Sequence, residues 1–266
     1  ANMTGKVGES TWNTEGAIIN YVFIVNTDGD VTFKYNSGII LKDIKISEIA
    51  KKVAFIYQTD DSATWNITND PIRLAIEEAY AVTNIEYPNT TSESAEVVDA
   101  AMQTILDANY DLVVVSEAIG GTNSYGLGLK NLVGKVPMLN MKSFFYHSGR
   151  WGWGKGENPT TKGTTAVTID EAYKAHPIFE GITIGENGTC EIFGTSVSDK
   201  NQMQAYSGPA AIIAGDPVLA KIGDLLAIHE HESAGEATDY RYILIPISSD
   251  ALIGNFSDNG LKLVMN

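Results

Sequence analysis

The 266-residue sequence predicts an α/β domain with a doubly wound, mostly parallel β-sheet that extends from residue 51 to the C-terminus. Two observations predict it. Uninterrupted apolar stretches such as Leu112–Val115 and Tyr242–Ile247 recur along this part of the chain, as expected for strands buried on both faces. Segments with apolar residues at helical spacing lie between them, which is the order that right-handed crossover connections require.

Each predicted element has its own sequence signal. Asn69-Asp70-Pro71 opens the first helix, because proline is favoured in the first helical turn. Apolar residues on one face predict a second helix over 92–109, with a serine near its start. Together with a closing helix over 259–264, these elements predict a flavodoxin-like fold. The predicted strands span 53–57, 84–88, 112–115, 136–141 and 242–247.

Residues 1–48 predict a short all-β segment. Its apolar stretches are separated by turn signals at Asn26–Gly29 and Asn36–Gly38. The segment resembles the last strands of a β-sandwich of the kind found beside carbohydrate-active domains in secreted bacterial proteins. Two or three strands are not stable alone, so we expect them to pack on the main domain or on a neighbouring chain. An unpaired strand edge there would favour a homo-oligomer.

The composition argues against several functions. A net charge of −15 opposes nucleic-acid binding, because phosphate contacts need clustered Lys and Arg. No apolar run is long enough to span a membrane. The single cysteine, Cys190, excludes an internal disulfide and a multi-thiolate metal site. The chain begins without a basic and apolar leader, which fits a cytosolic protein or one whose signal was removed; the sandwich-like segment favours a secreted, periplasmic or cell-surface location.

Four motifs occur in a recognisable order: Tyr110–Val115, Val136–Leu139, His176–Gly181 and the Ile245-Pro246 pair near the C-terminus. In this order they resemble the class I glutamine-amidotransferase-like superfamily, and within it the trehalose-utilisation-like (ThuA-like) proteins, over residues 51–266. The resemblance implies a flavodoxin-like fold whose reactive turn follows the strand that contains residues 136–139.

That turn lacks the residues that the superfamily uses for chemistry. Amidotransferases of this kind typically read Gly-x-Cys-x-Gly there, whereas residues 140–144 of this chain read Asn-Met-Lys-Ser-Phe. Lys142 occupies the nucleophile position, and Phe144 replaces a glycine that the sharp turn needs. Cys190 lies much later, and the His-Pro-Glu motif after the last strand is also missing. The sequence therefore predicts no amidotransferase activity, because glutamine hydrolysis has neither a thiolate nor a paired base.

Ligands of open parallel sheets bind at the carboxyl ends of the strands. The segment 146–154 follows such an end and contains two indoles, a guanidinium and three glycines. Exposed indoles stack on sugar rings and arginine donates to hydroxyls or carboxylates, so the segment is typical of a sugar-binding platform. The alternative is that the two indoles plug the edge of the sheet. The candidate ligand-binding residues are Asp60, Asp61, Trp65, Glu117, Lys142, Ser143, Arg150, Trp151 and Trp153.

Glu117 and Lys142 are the first candidates for catalysis. They follow neighbouring predicted strands, so their side chains should come within reach of each other and could act as acid and base. The alternative is an ion pair that joins two loops. His147 is a further candidate acid–base group.

His229 and His231 are candidate metal ligands. Their spacing puts both imidazoles on one face of an extended segment, and Asp60, Asp61 or His147 could supply a third ligand. The alternative is a solvated strand or loop. The sequence predicts no cofactor. His176 precedes a proline and is expected to be a structural turn residue.

Three functions are compatible with the sequence. The leading one is a secreted or cell-surface carbohydrate-binding or accessory domain with a degenerate amidotransferase-like fold. The second is a hydrolase or isomerase acting on a sugar derivative through Glu117, Lys142, His147 or His229, with or without a metal. The third is a structural spacer that holds neighbouring domains.

Overall fold

The computed structural model describes residues 51–58, 66–156, 158–194, 202–206, 216–232, 240–247 and 255–266. The predicted β segment 1–48 and the candidate residues Asp60, Asp61 and Trp65 lie outside these ranges. Within the ranges, nine strands form one mixed sheet and two more form a small separate sheet. The predicted α/β class is therefore confirmed.

Eleven strands and four α-helices are defined in the described ranges, together with several 3-10 turns. The strands of the large sheet are β1 (Lys52–Gln58), β2 (Ala81–Tyr87), β3 (Leu112–Val115), β4 (Met138–Asn140), β6 (Ala166–Ile169), β7 (Thr189–Glu191), β9 (Val218–Ile222), β10 (Leu225–Glu230) and β11 (Tyr242–Leu244); β5 (Thr160–Gly163) pairs with β8 (Gln202–Ala205) in the small one. The helices are α1 (Pro71–Glu77), α2 (Ala95–Asp107), α3 (Ser124–Gly128) and α4 (Asp258–Met265).

The parallel half of the large sheet matches the sequence prediction. Its strands are ordered β2-β1-β3-β4-β11, which is the strand order of flavodoxin-like doubly wound sheets. β4 and β11 are shorter than predicted, because Pro137 and Pro246 have no N–H to donate to a neighbouring strand. β2 is longer than predicted, since it pairs with β1 along its whole length from Ala81 to Tyr87.

The other half of the sheet is antiparallel and was not predicted. β10, β9, β6 and β7 continue the sheet beyond β11 in that order. All four come from the long stretch of chain between β4 and β11, and each has only three to six residues. The sheet as a whole is thus mixed, with equal numbers of parallel and antiparallel pairings between neighbouring strands, and not mostly parallel.

Helices cover both faces of the parallel half, as a doubly wound sheet requires. Phe55 and Ile56 are consecutive on β1 and therefore point to opposite faces. Phe55 belongs to a cluster with Ile76 of α1 and Leu263 of α4, whereas Ile56 belongs to a second cluster with Met102 of α2. Both clusters are buried, so the sheet lies between two apolar layers.

Side chains at the helix starts fix where the four described helices begin, with Asn123 capping α3. Asp70 accepts hydrogen bonds from the amides of Ile72 and Arg73 at the start of α1. Ser94 and Ser257 cap α2 and α4 in the same way. None of the described helices has the length and apolarity needed to cross a bilayer.

We expect Gly260→Ala to lower the free energy of unfolding by about 1–3 kcal/mol, as overpacking does. An added Cβ at this position would lie 2.2 Å from the carbonyl oxygen of Ile192 and 3.1 Å from a ring carbon of Phe256. In a helix without such a contact, replacing glycine by alanine stabilises the helix by about 1 kcal/mol. A loss of stability at this position would therefore result from the close approach of α4 to its neighbours. Urea denaturation measures it.

Gly149→Ala is the matched control for this substitution. Its added Cβ would meet only the His147 ring, at 3.5 Å, which is an ordinary contact distance. The control should change stability little, whereas an equal loss in both variants would contradict the packing of α4.

Candidate functional site

The candidate site lies at the carboxyl ends of β3 and β4. These strands are parallel neighbours, with Val115 opposite Asn140. Glu117 lies two residues after the end of β3, and Lys142 lies two residues after the end of β4. The predicted approach of their side chains is confirmed. The ammonium of Lys142 lies 2.7 Å from Oε1 of Glu117 and also donates to the Glu117 carbonyl at 2.8 Å. With side chains only 13% and 16% exposed, the pair is largely shielded from solvent.

The turn that carries Lys142 is not a nucleophile elbow. Lys142 has φ −91° and ψ 88°, which is free of left-handed strain. The side chain of Asn140 holds the turn: its Oδ1 accepts from the Lys142 amide at 2.8 Å, and its Nδ2 donates to the Lys142 carbonyl at 3.1 Å. A local Asx-type turn thus shapes this segment without the glycine that a sharp nucleophile elbow needs.

Gln204 joins the site from β8 and was not among the predicted site residues. The hydroxyl of Ser143 donates to Oε1 of Gln204 at 2.7 Å, and Nε2 of Gln204 donates to Oε1 of Glu117 at 3.3 Å. The hydroxyl of Tyr206 donates to the Ser143 carbonyl. No motif surrounds Gln204. The unpredicted strand β8 brings it to the edge, where the Gln204 amide donates to the Pro246 carbonyl at 3.0 Å, so the sequence held no signal for it.

Phe144 and Arg150 form the apolar and cationic part of the site. The Phe144 ring is partly buried, with the Lys142 ammonium and the Arg150 guanidinium each 5.4 Å from its centroid. Nη1 of Arg150 donates to the Phe144 carbonyl at 2.6 Å. Two cations therefore flank a single aromatic ring.

Trp151 and Trp153 do not form the predicted platform, and this interpretation is corrected. The two indoles are 0% and 1% exposed, so neither offers a face to a sugar. Trp151 donates through Nε1 to the Gly126 carbonyl at 3.0 Å and stacks on Phe145. Trp153 stacks on His231 with ring centroids 3.8 Å apart. The indoles are anchored in the apolar layer, which is the alternative that the sequence left open.

His229 and His231 are buried, so they do not lie on a solvated strand as the alternative supposed. Nδ1 of His231 lies 2.9 Å from Oδ2 of Asp216, and Nε2 of His229 lies 3.6 Å from the same oxygen. Neither ring nitrogen of His229 has a hydrogen-bond partner among the described residues. Within those residues, no three His, Cys, Asp or Glu side chains are arranged to hold a metal ion.

His147 has a local role, whereas His176 combines a local role with a contact to β10, since its Nε2 lies 2.8 Å from Oε2 of Glu230. His147 accepts from the Gly149 amide at 3.0 Å, and in the described part of the chain it forms no hydrogen bond or ion pair with Glu117 or Lys142. His176 accepts from the Ile178 amide at 3.3 Å and caps the turn Pro177–Phe179. Ile178 and Phe179 are buried, so the predicted structural role of His176 is confirmed.

Cys190 is remote from the candidate site. It lies on β7, with β6, β9, β10 and β11 between it and β4. The thiol is buried, and its burial raises the pKa to about 11. The thiol is therefore protonated at neutral pH and is neither placed nor activated to act as a nucleophile at the candidate site.

Comparisons with known proteins add a distant likeness. No family model matches the chain, and no curated protein matches it. Among solved structures, the chain is similar to a protein from Parabacteroides merdae ATCC 43184 described as ThuA-like. The two share 11% identity over 82% of this chain and 88% of that chain, with a TM-score of 0.44. A likeness at this level carries no function to this chain.

Proposed function

We propose that this protein is a carbohydrate-binding accessory domain that works outside the cytoplasm, and that its amidotransferase-like site serves binding and not glutamine hydrolysis. The observation that carries the proposal is the ion pair of Lys142 with Glu117. It fills the nucleophile position with an ammonium that already has two acceptors at 2.8 Å or less. An ammonium fixed in this way can orient a ligand. The turn contains no thiol that could attack an amide.

The groups around this pair suit a polyhydroxylated ligand. Glu117 and Gln204 provide donors and acceptors that are already fixed by each other, whereas Ser143, a predicted ligand-binding residue, is fully buried and holds Gln204 in place from below. Phe144 adds an apolar surface, and Arg150 adds N–H donors next to it. Sugar sites combine one aromatic contact with a few preset polar groups in this manner.

We expect Phe144→Ala to weaken retention on a bound polysaccharide by about tenfold or more, since it removes the apolar contact at the centre of the site. Affinity electrophoresis on a panel of neutral and acidic polysaccharides measures the retention. Val97→Ala is the control, because Val97 is 46% exposed on α2 and forms no part of the site. Unchanged retention in the Phe144 variant, or no retention of the unsubstituted protein on any polymer, would refute the proposal.

A sugar-acting hydrolase or isomerase is the second candidate, and the 2.7 Å approach of Glu117 and Lys142 favours it. A carboxylate and an ammonium at this distance can exchange a proton with a bound substrate. Analysis of the retained sugars separates the two functions. Release of shortened or isomerised products would favour the enzyme, and recovery of the intact ligand would favour the binding domain.

A further inference from the structure

Arg150 is a partly buried cation without a carboxylate partner among the described residues. A guanidinium has five N–H donors. Among the described residues, the Phe144 carbonyl is the one acceptor of a hydrogen bond from Arg150, and it accepts from Nη1. A partly buried charge is costly unless a partner compensates for its lost hydration. The geometry therefore leaves this side chain in need of an acceptor.

The nearest carboxylate of the site is already committed. Oε1 of Glu117 accepts from Lys142 at 2.7 Å and from Gln204 at 3.3 Å. Lys142 and Arg150 together carry two positive charges against the single negative charge of Glu117. The described residues of the site thus carry a local excess of positive charge in a chain whose net charge is −15.

The backbone around Arg150 is shaped to hold the guanidinium in place. A Cβ added to Gly121 would lie 2.9 Å from Cβ of Phe144 and 3.3 Å from Nη1 of Arg150. The absence of a side chain at this position is therefore required for Phe144 and Arg150 to pack as they do. An arginine fixed in this way loses little side-chain entropy when a ligand binds.

We propose that the carbohydrate ligand carries a carboxylate, as uronic acids do, and that Arg150 is the residue that selects it. This inference rests on the proposed function and specifies the ligand of that same site. The planar guanidinium matches a carboxylate in a two-pronged hydrogen bond, which is both charge-assisted and directional. With a neutral sugar, the positive charge of Arg150 would have no compensating carboxylate among the described residues.

The test compares uronate-containing polysaccharides, including polygalacturonate, with the same polymers after chemical reduction of their carboxylates to alcohols. The unsubstituted protein should bind each acidic polymer that it recognises at least about tenfold more tightly than the reduced form. Arg150→Gln should remove this preference. Arg150→Lys should keep part of it, because an ammonium retains the positive charge but cannot form the two-pronged hydrogen bond. Lys155→Gln removes an exposed charge from the same segment and should leave the preference unchanged.

The ratio between acidic and reduced polymers is the deciding readout, since a loosened loop would weaken both forms together. Equal binding of the two forms would overturn this inference and leave the proposed function intact. A preference for the acidic polymer that persists in Arg150→Gln would also overturn it, because another group would then bind the carboxylate. Failure to bind any polymer in either form would refute the proposed function, and the inference with it.

Discussion

Trp153→Ala is expected to lower the free energy of unfolding by about 3–5 kcal/mol, the range for truncating a buried aromatic side chain. The Trp153 ring is fully buried and contacts three other aromatic residues at close range. It stacks on His231 at 3.8 Å and meets Trp151 and Tyr146 edge-on, with centroids 5.0 and 5.3 Å away. Alanine leaves a cavity that this rigid cluster cannot close. Chemical denaturation followed by far-UV circular dichroism measures the loss.

Trp153→Phe provides the graded control, because it keeps an aromatic ring in the same space and should lose markedly less stability. Val97→Ala on the surface of α2 should change stability by less than about 0.5 kcal/mol. One outcome would contradict the burial of Trp153. If Trp153→Ala remains fully stable but no longer binds polysaccharide, the indole is exposed in solution and the platform interpretation is right.

The parallel half of the fold could be predicted because its signals are local. Residues 112–115 form a continuous apolar run, and the pair Asp70-Pro71 is by itself a signal for the start of a helix. The antiparallel half has no comparable signal. β6 reads Ala-Val-Thr-Ile and β7 reads Thr-Cys-Glu, and strands of this length are stabilised by partners that are distant in sequence.

The site could be predicted only in part, for the same reason. The pairing of Glu117 with Lys142 follows from strand adjacency, which the sequence reveals. The contribution of Gln204 follows from β8, which the sequence does not reveal. For Trp153, composition alone could not decide between exposure and burial, because an indole serves equally well in a platform and in a core. The stacking of Trp153 on His231 decided it.

His229 is expected to make the fold sensitive to acid, with a loss of about 3 kcal/mol between pH 6.5 and pH 4. Burial lowers the pKa of His229 from its usual 6.5 to about 4; the carboxylate of Asp216 opposes this effect and His231 adds to it. Because the pKa is lower in the folded state, the unfolded chain binds the proton more readily in this interval. The stability is therefore complete above pH 6.5 and is lost as the pH falls towards 4.

The neighbours of His229 explain why protonation of its ring is only partly compensated. Its ring meets Tyr146 edge-on at 5.1 Å, and the Tyr146 hydroxyl has no hydrogen-bond partner among the described residues. Burial would raise the pKa of Asp216, but hydrogen bonds from His231 and from the Glu232 amide lower it overall. Asp216 is thus an anion committed to other donors, and its Oδ2 is 3.6 Å from His229, too far for a hydrogen bond.

Urea denaturation at a series of pH values from 7 to 4 measures the effect, and His229→Phe isolates it. Phenylalanine keeps the edge-on contact with Tyr146 and removes two unsatisfied nitrogens, so the variant should be at least as stable as the unsubstituted protein at pH 7. It should lose about 3 kcal/mol less on acidification. His147→Asn removes an imidazole from a partly exposed loop and should retain the full acid sensitivity, because His229 is still present. Parallel pH profiles for the unsubstituted protein and His229→Phe would show that the ring gains a partner in solution, and its assignment as a buried, uncharged imidazole would then be wrong.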